Sequence, residues 1–200
     1  MGSKLLDLLF AASFAWWSAE TIYGMGWTGI SLAGVCTAVI HLLVALAFVV
    51  RQSPQSQVTH HDCLAVFPSL VVGGMASQVA GATLRWPLVS SVIFALGASL
   101  AAISIFHLGR SFAVLPYKRP LITNGVYGLV RHPMYLGELL MIAACCTTKI
   151  TWFSVAVLVL ALPAIANRIL VEELRLGSSD DHRFRNYAAL VKWRLLPLIW

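Results

Sequence analysis

The sequence predicts an all-α fold: a polytopic transmembrane bundle of about six helices, five being possible, with a long polar loop and a C-terminal helix on the cytoplasmic side. Three observations lead there. Of 200 residues, 59% are hydrophobic and only 11% are charged, with a mean hydropathy of +0.81, whereas a soluble domain carries roughly 45–50% apolar and about 25% charged residues. The apolar residues gather into runs near the ~20 residues needed to cross a bilayer. The basic residues sit between those runs, nearly all of them in alternate connections that share one side. The same figures exclude a disordered chain, a collagen and a secreted disulfide scaffold. The net charge of +6 is explained by membrane topology, and no nucleic-acid partner is expected.

The candidate spans run over about 5–23, 29–50, 63–83, 88–108, 133–148 and 150–170. The first is the least apolar: Asp7 and Glu20 flank it, and Trp16 and Trp17 suit an interface. If it lay on the membrane surface, five spans would remain. Those acids also argue against a secretory signal, and Leu6 after Met1-Gly2 argues against myristoylation. The second span, Gly29 to Val50, holds no charge and only His41 as a strongly polar residue. His41 and His107 are expected to be hydrogen-bonded packing residues. Gly73-Gly74, Gly81 and Gly97-x-x-x-Ala101 are expected at close helix crossings. Cys36, Cys63, Cys145 and Cys146 show no C-x-x-C spacing and are read as small buried hydrophobes. His60-His61-Asp62-Cys63 contains metal-capable groups, but contiguous side chains diverge and no partner cluster completes a site, so no metal is expected.

Six spans with the N-terminus inside put all but Arg85 and Lys149 of the 14 basic residues on the cytoplasmic side. Both termini are then cytoplasmic. The long polar stretches are 51–62, 109–132 and 171–194, and the last two are rich in ionisable groups. The chain therefore divides into N-terminal helices, 1–108, and a core carrying the chemistry, 109–200.

Within 109–132, Asn124-Gly125 is a turn signal. Pro133 suits the first position of a helix, which puts His132 at the N-cap. The free N–H groups there, with Arg131 and His132, favour an anion. The second cluster is Asn167-Arg-Ile-Leu-Val-Glu-Glu173. Arg168 and Glu172, four apart, share a helix face and can pair, and ionisable groups at membrane depth are costly and usually functional. Glu173 points elsewhere. No G-x-G-x-x-G or P-loop occurs, so a Rossmann-type cofactor site is unsupported.

These clusters sit around a two-span hairpin. Leu121-Ile-Thr-Asn-Gly-Val-Tyr127 runs into Arg131-His-Pro-Met-Tyr-Leu-Gly137, followed by Arg168-x-x-x-Glu172-Glu173, then Tyr187 and Arg194-Leu-Leu-Pro197. As a set they resemble the isoprenylcysteine carboxyl methyltransferase family and its prokaryotic relatives, over about residues 105–200. The resemblance implies a membrane-embedded methyltransferase that uses S-adenosylmethionine as cofactor. It implies cofactor contacts at Arg119, Pro120, Leu121, Ile122, Tyr127, His132, Pro133, Met134, Tyr135 and Glu172. Arg168 would be the substrate-side, catalytic arginine. Two departures stand out: Tyr117 occupies the position of a cofactor-binding glutamine, and Asp180-Asp181, Phe184 and Tyr187 replace the family's Phe-Gly and paired tyrosines. The C-terminal lid is thereby in doubt as a contact surface, with Ser178–Asp181 read as a polar, mobile turn.

The implied chemistry suits its location. Methyl transfer from a sulfonium to a carboxylate or thiolate annihilates charge, so a low-dielectric site lowers the barrier. A carboxylate is already ionised near neutral pH, with a reference pKa of about 4. No general base is needed, and catalysis is mainly positioning and desolvation. The implied partners are a lipophilic or lipidated acceptor, such as an isoprenylcysteine-like substrate, and membrane lipid. Competing readings are a phospholipid N-methyltransferase, an NADPH-dependent sterol reductase, and a non-catalytic membrane scaffold or transporter.

Overall fold

The structure, a computed structural model, describes residues 2–26, 29–52, 59–81, 86–116, 119–177 and 182–200. Local chemistry sets several helix starts. Ser31 accepts the Gly34 N–H at 3.1 Å and opens α2, Leu32–Val50, as a capping serine does. The Asp62 carboxylate accepts from the Thr59 N–H and hydroxyl at 2.7 and 2.8 Å, so α3, His60–Gly81, begins before the apolar run. Pro133 opens α5, Pro133–Thr148, with His132 at the N-cap. Thr151 and Ser154 exchange hydrogen bonds at the start of α6, Trp152–Gly177. The remaining helices are α1, Gly2–Met25, α4, Leu88–Leu108, and α7, His182–Leu190. Single 3₁₀ turns fall at Gly109–Ser111 and Gly125–Gly128, and no strand occurs among the described residues.

The first six helices run alternately up and down, which brings the charged groups together at one end. There the start of α1 meets the end of α2 through Asp7–Arg51. The start of α3 meets the far part of α6 through Asp62–Arg175, and the Gln52 N–H donates to the Arg110 carbonyl just past α4. Among the described residues, four helices are long and apolar enough to cross a membrane: α2, α3, α4 with its following turn, and α6. At 16 residues, α5 is shorter, about 24 Å at 1.5 Å per residue. α1 is not among the four, yet it packs antiparallel along α2 from Ser18 Oγ–Ala38 O, past Phe14 and His41, to Phe10 and Phe48 and the Asp7–Arg51 pair.

The centre is filled by small and branched side chains: Ala76, Ala98, Ala144, Val157, Ala161, Ile165 and Ile169. Leu64, Phe67, Leu96, Val159 and Leu160 are exposed, as expected where lipid replaces water outside the bundle. α4 and α5 cross closely at two glycines. A Cβ on Gly97 would lie 2.7 Å from the Gly137 carbonyl oxygen, and one on Gly137 would lie 2.6 Å from that of Gly97 and 2.9 Å from the Ala101 nitrogen. The expectation for Gly97 and Ala101 is met. Gly73, Gly74 and Gly81 have open space where a Cβ would be, so they are not close-packing positions. Cys145 and Cys146 are buried, but Cys36 is only partly covered and Cys63 is exposed.

Candidate active site

The segment after α4 folds over the charged end of the bundle. Gly125 holds a φ of 60°, the left-handed region open to glycine, and a Cβ there would collide with the His107 imidazole. That imidazole is anchored through Nδ1 to the Ile103 carbonyl at 2.8 Å. The turn returns the chain so that Tyr127 is buried and the Arg131-His132 segment reaches α5. Residues 191–200 are stitched to it: the Arg131 and His132 N–H groups donate to the Trp193 and Arg194 carbonyls, each at 2.9 Å.

A narrow cleft, open at its mouth, lies between these parts. Arg119, Pro120, Leu121, Ile122, Tyr127, His132 and Glu172 line it, with Leu108, Arg131, Leu176, Phe184 and Tyr187. Of the remaining site candidates, Tyr135 reaches it only through Glu172, while Pro133, Met134 and Arg168 do not line it. Phe184 and Tyr187 of the C-terminal segment do. Tyr117 and the Ser178–Asp181 turn lie outside the described residues.

Glu172 is the anionic centre of the cleft. One carboxylate oxygen pairs with the Arg119 guanidinium, and the other accepts from the Tyr135 hydroxyl at 2.5 Å. Arg119 also donates to the Ser111 carbonyl at 2.9 Å. Burial pulls the Arg119 pKa down, but Glu172, Tyr127 and Tyr135 around it together more than offset this, so the arginine stays charged. Burial pushes the Tyr127 phenol well above its ordinary range and that of Tyr187 up to about 12. Both stay neutral, and the Tyr187 O–H donates to the Tyr127 carbonyl at 2.7 Å.

The expected pairing of Arg168 with Glu172 is not the arrangement found. Arg168 donates to Ser69 Oγ and the Val114 carbonyl, each at 3.0 Å, and approaches Glu138 at 3.5 Å. Its guanidinium lies 4.8 Å over the Tyr135 ring. Tyr135 thus joins both groups, its hydroxyl on Glu172 and its ring face on Arg168. A longer-range contact displaces the i,i+4 pair that spacing alone suggests. Glu173, as expected, turns away from the cleft, and there it gathers Arg131 at 2.7 Å, His132 at 3.2 Å and Arg194 at 2.9 Å. His132 therefore spends its Nε2 on Glu173. Asp62 is sealed by Arg175 and Thr59, and no cluster of three or more metal-capable side chains occurs among the described residues.

A family model for phospholipid methyltransferases matches residues 86–176, taking in α4, the cleft loop and the α5–α6 hairpin. No curated protein matches the chain. With four membrane-length apolar helices, this similarity supports a membrane methyltransferase. Its acceptor is a matter for the site.

Proposed function

We propose that the protein is an S-adenosylmethionine-dependent methyltransferase acting on a lipophilic acceptor at the cytoplasmic face of a membrane. The observation that carries the reading is the buried Arg119–Glu172 pair inside a cleft otherwise walled by apolar and aromatic side chains. The residues fit the cofactor. Its amino-acid end is a zwitterion, matched by Arg119 for the carboxylate and Glu172 for the ammonium, as charge-assisted hydrogen bonds favour. Leu121, Ile122 and Tyr127 offer the apolar wall that a nucleoside needs. His132 and Tyr135 hold the frame through Glu173 and Glu172, and Pro133 and Met134 start the helix that carries Tyr135. When bound, the cofactor supplies an electrophilic methyl group on a sulfonium.

Arg168, behind Tyr135, is the substrate-side arginine of this reading. It receives the acceptor's anionic group, whether carboxylate, thiolate or lipid phosphate. An isoprenylcysteine-like acid and a phospholipid both present such a group on a lipophilic body, and the reading admits either acceptor. We assign both termini to the cytoplasm on the positive-inside rule applied to the sequence, and take residues 109–200 as the catalytic unit. The test is calorimetry on the detergent-purified protein: S-adenosylhomocysteine binds and NADPH does not. NADPH binding without S-adenosylhomocysteine binding would replace this reading with a reductase.

A further inference from the structure

The chain beyond α7 is not built like a segment left in water. Residues 191–200 read Val-Lys-Trp-Arg-Leu-Leu-Pro-Leu-Ile-Trp. No acidic residue occurs from His182 to Trp200, where Arg183, Arg185, Lys192 and Arg194 carry the charge. Leu195 is buried in the apolar core that α4, α5 and α6 share, and Trp200 packs against the same core. The turn between them therefore lies against the membrane-crossing helices. Its tip nevertheless faces outward, with Leu198 84% and Ile199 76% exposed.

Two backbone features set this turn apart. Leu198 holds a φ of 69°, the one non-glycine residue with a positive φ among the described residues. The left-handed region is costly for a leucine, and such strain persists where the side chain is required in that direction. The second feature is how fully the turn bonds its own amides. The Leu195 and Leu196 N–H groups donate to the Trp200 main-chain oxygen at 2.9 and 3.2 Å. The Ile199 and Trp200 N–H groups donate to the Leu196 carbonyl at 3.2 and 3.1 Å. Pro197 has no N–H, so within 195–200 only that of Leu198 lacks a backbone acceptor among the described residues. A loop in water can leave its amides to the solvent, whereas a segment in lipid must satisfy them internally.

We propose that residues 195–200 form a shallow wedge in the lipid leaflet at the charged end of the bundle. Leu198 and Ile199 sit among the acyl chains, with Lys192 and Arg194 at the level of the lipid phosphates. The inference rests on the membrane-spanning bundle and is independent of the methyltransferase reading. The side chains suit that depth. Trp193 and Trp200 are partly buried, as tryptophans at the headgroup level are. The Arg194 guanidinium lies 5.4 Å from the centre of the Trp200 ring with 31% of its side chain exposed, and arginine stems lie along apolar surface while their heads reach the polar layer. A second copy of the chain is the other way to cover the two residues, but a two-fold contact would set Lys192 and Arg194 against their own copies. The wedge also gives the candidate site a fixed height. The Trp193 and Arg194 carbonyls hold the Arg131 and His132 N–H groups, so the cleft loop is tied through them to the membrane surface.

The test reads position and needs no turnover. Full-length protein carrying Cys63→Ala, which removes an exposed native thiol, receives either Ile199→Cys or Lys192→Cys. Each is labelled with bimane and reconstituted in phosphatidylcholine vesicles. Both positions are exposed, so neither substitution disturbs the packed core. Quenching by iodide, present on both sides of the vesicle, is compared with quenching by a lipid that carries a nitroxide on its acyl chain. Withdrawing one large apolar side chain from water shifts the inserted-to-exposed ratio by at least ~10-fold, so iodide quenching at Ile199 is expected to be about a tenth of that at Lys192. The nitroxide lipid is expected to quench the Ile199 label and to leave the Lys192 label bright. Equal iodide quenching at the two positions overturns the proposal. Shielding of Ile199 from iodide without quenching by the nitroxide lipid also overturns it, and assigns the turn to a contact between copies of the chain.

Discussion

Two of the buried arginine–carboxylate pairs at the same end of this bundle make an instructive contrast. Arg51–Asp7 joins the start of α1 to the end of α2. Arg51 lies over the Phe48 ring, and the Lys4 ammonium reaches the Arg51 carbonyl. Arg119–Glu172 joins a loop to α6 at the wall of a cleft, with Tyr135 on the other carboxylate oxygen. An ion pair in an apolar protein is therefore not a site by virtue of burial. The first pair is enclosed by the hairpin it fastens, whereas the second faces a space lined by residues from four parts of the chain.

This contrast can be broken by mutation. Asp7→Ala strands the Arg51 guanidinium in the hairpin and is expected to cost ~3–5 kcal/mol, the penalty for an uncompensated buried charge. The measurement is the unfolding midpoint in detergent, and S-adenosylhomocysteine affinity of the folded fraction should stay at the wild-type value. A loss of affinity without loss of stability would make the hairpin part of the site. Gly137→Val places atoms against the Gly97 carbonyl and the Ala101 nitrogen and is expected to cost ~1–3 kcal/mol by overpacking. Because α5 carries Tyr135, its displacement should also weaken cofactor binding. Cys63→Ala, on an exposed position of α3, is expected to change stability by less than ~0.5 kcal/mol and to leave cofactor affinity unchanged.

Much of the fold is legible along the chain because its causes are local. Apolar runs, a capping serine at Ser31, Pro133 after His132, and the glycine turn at Gly125 act within a few residues. Two boundaries lie beyond the apolar runs. Asp62, bonded to the Thr59 N–H and hydroxyl, starts α3 at His60, and the Glu172 and Glu173 contacts accompany an α6 that runs to Gly177 instead of ending near residue 170. The site is legible in its membership and not in its pairing. Spacing offers Arg168–Glu172, but the partner of Glu172 stands 53 positions away at Arg119, a contact no periodicity encodes. Glu173 reads as a bystander and proves to tie Arg131, His132 and the C-terminal segment together. Glu138 is hidden from periodicity by the apolar run around it, and only its charge, alone between Gly137 and Leu139, marks it in a membrane segment.

The central claim is that Glu172, and not any buried carboxylate of the bundle, holds the cofactor. The most direct measurement titrates S-adenosylhomocysteine into wild type, Glu172→Gln, Asp7→Asn and Arg168→Ala, with single-turnover methyl transfer followed in parallel. Glu172→Gln should weaken binding by ~1.5–3 kcal/mol, the worth of a hydrogen bond to a charged group, while Asp7→Asn and Arg168→Ala should bind as wild type, and Arg168→Ala should lose most turnover. Unchanged affinity in Glu172→Gln, or an equal loss in Asp7→Asn, would contradict the account.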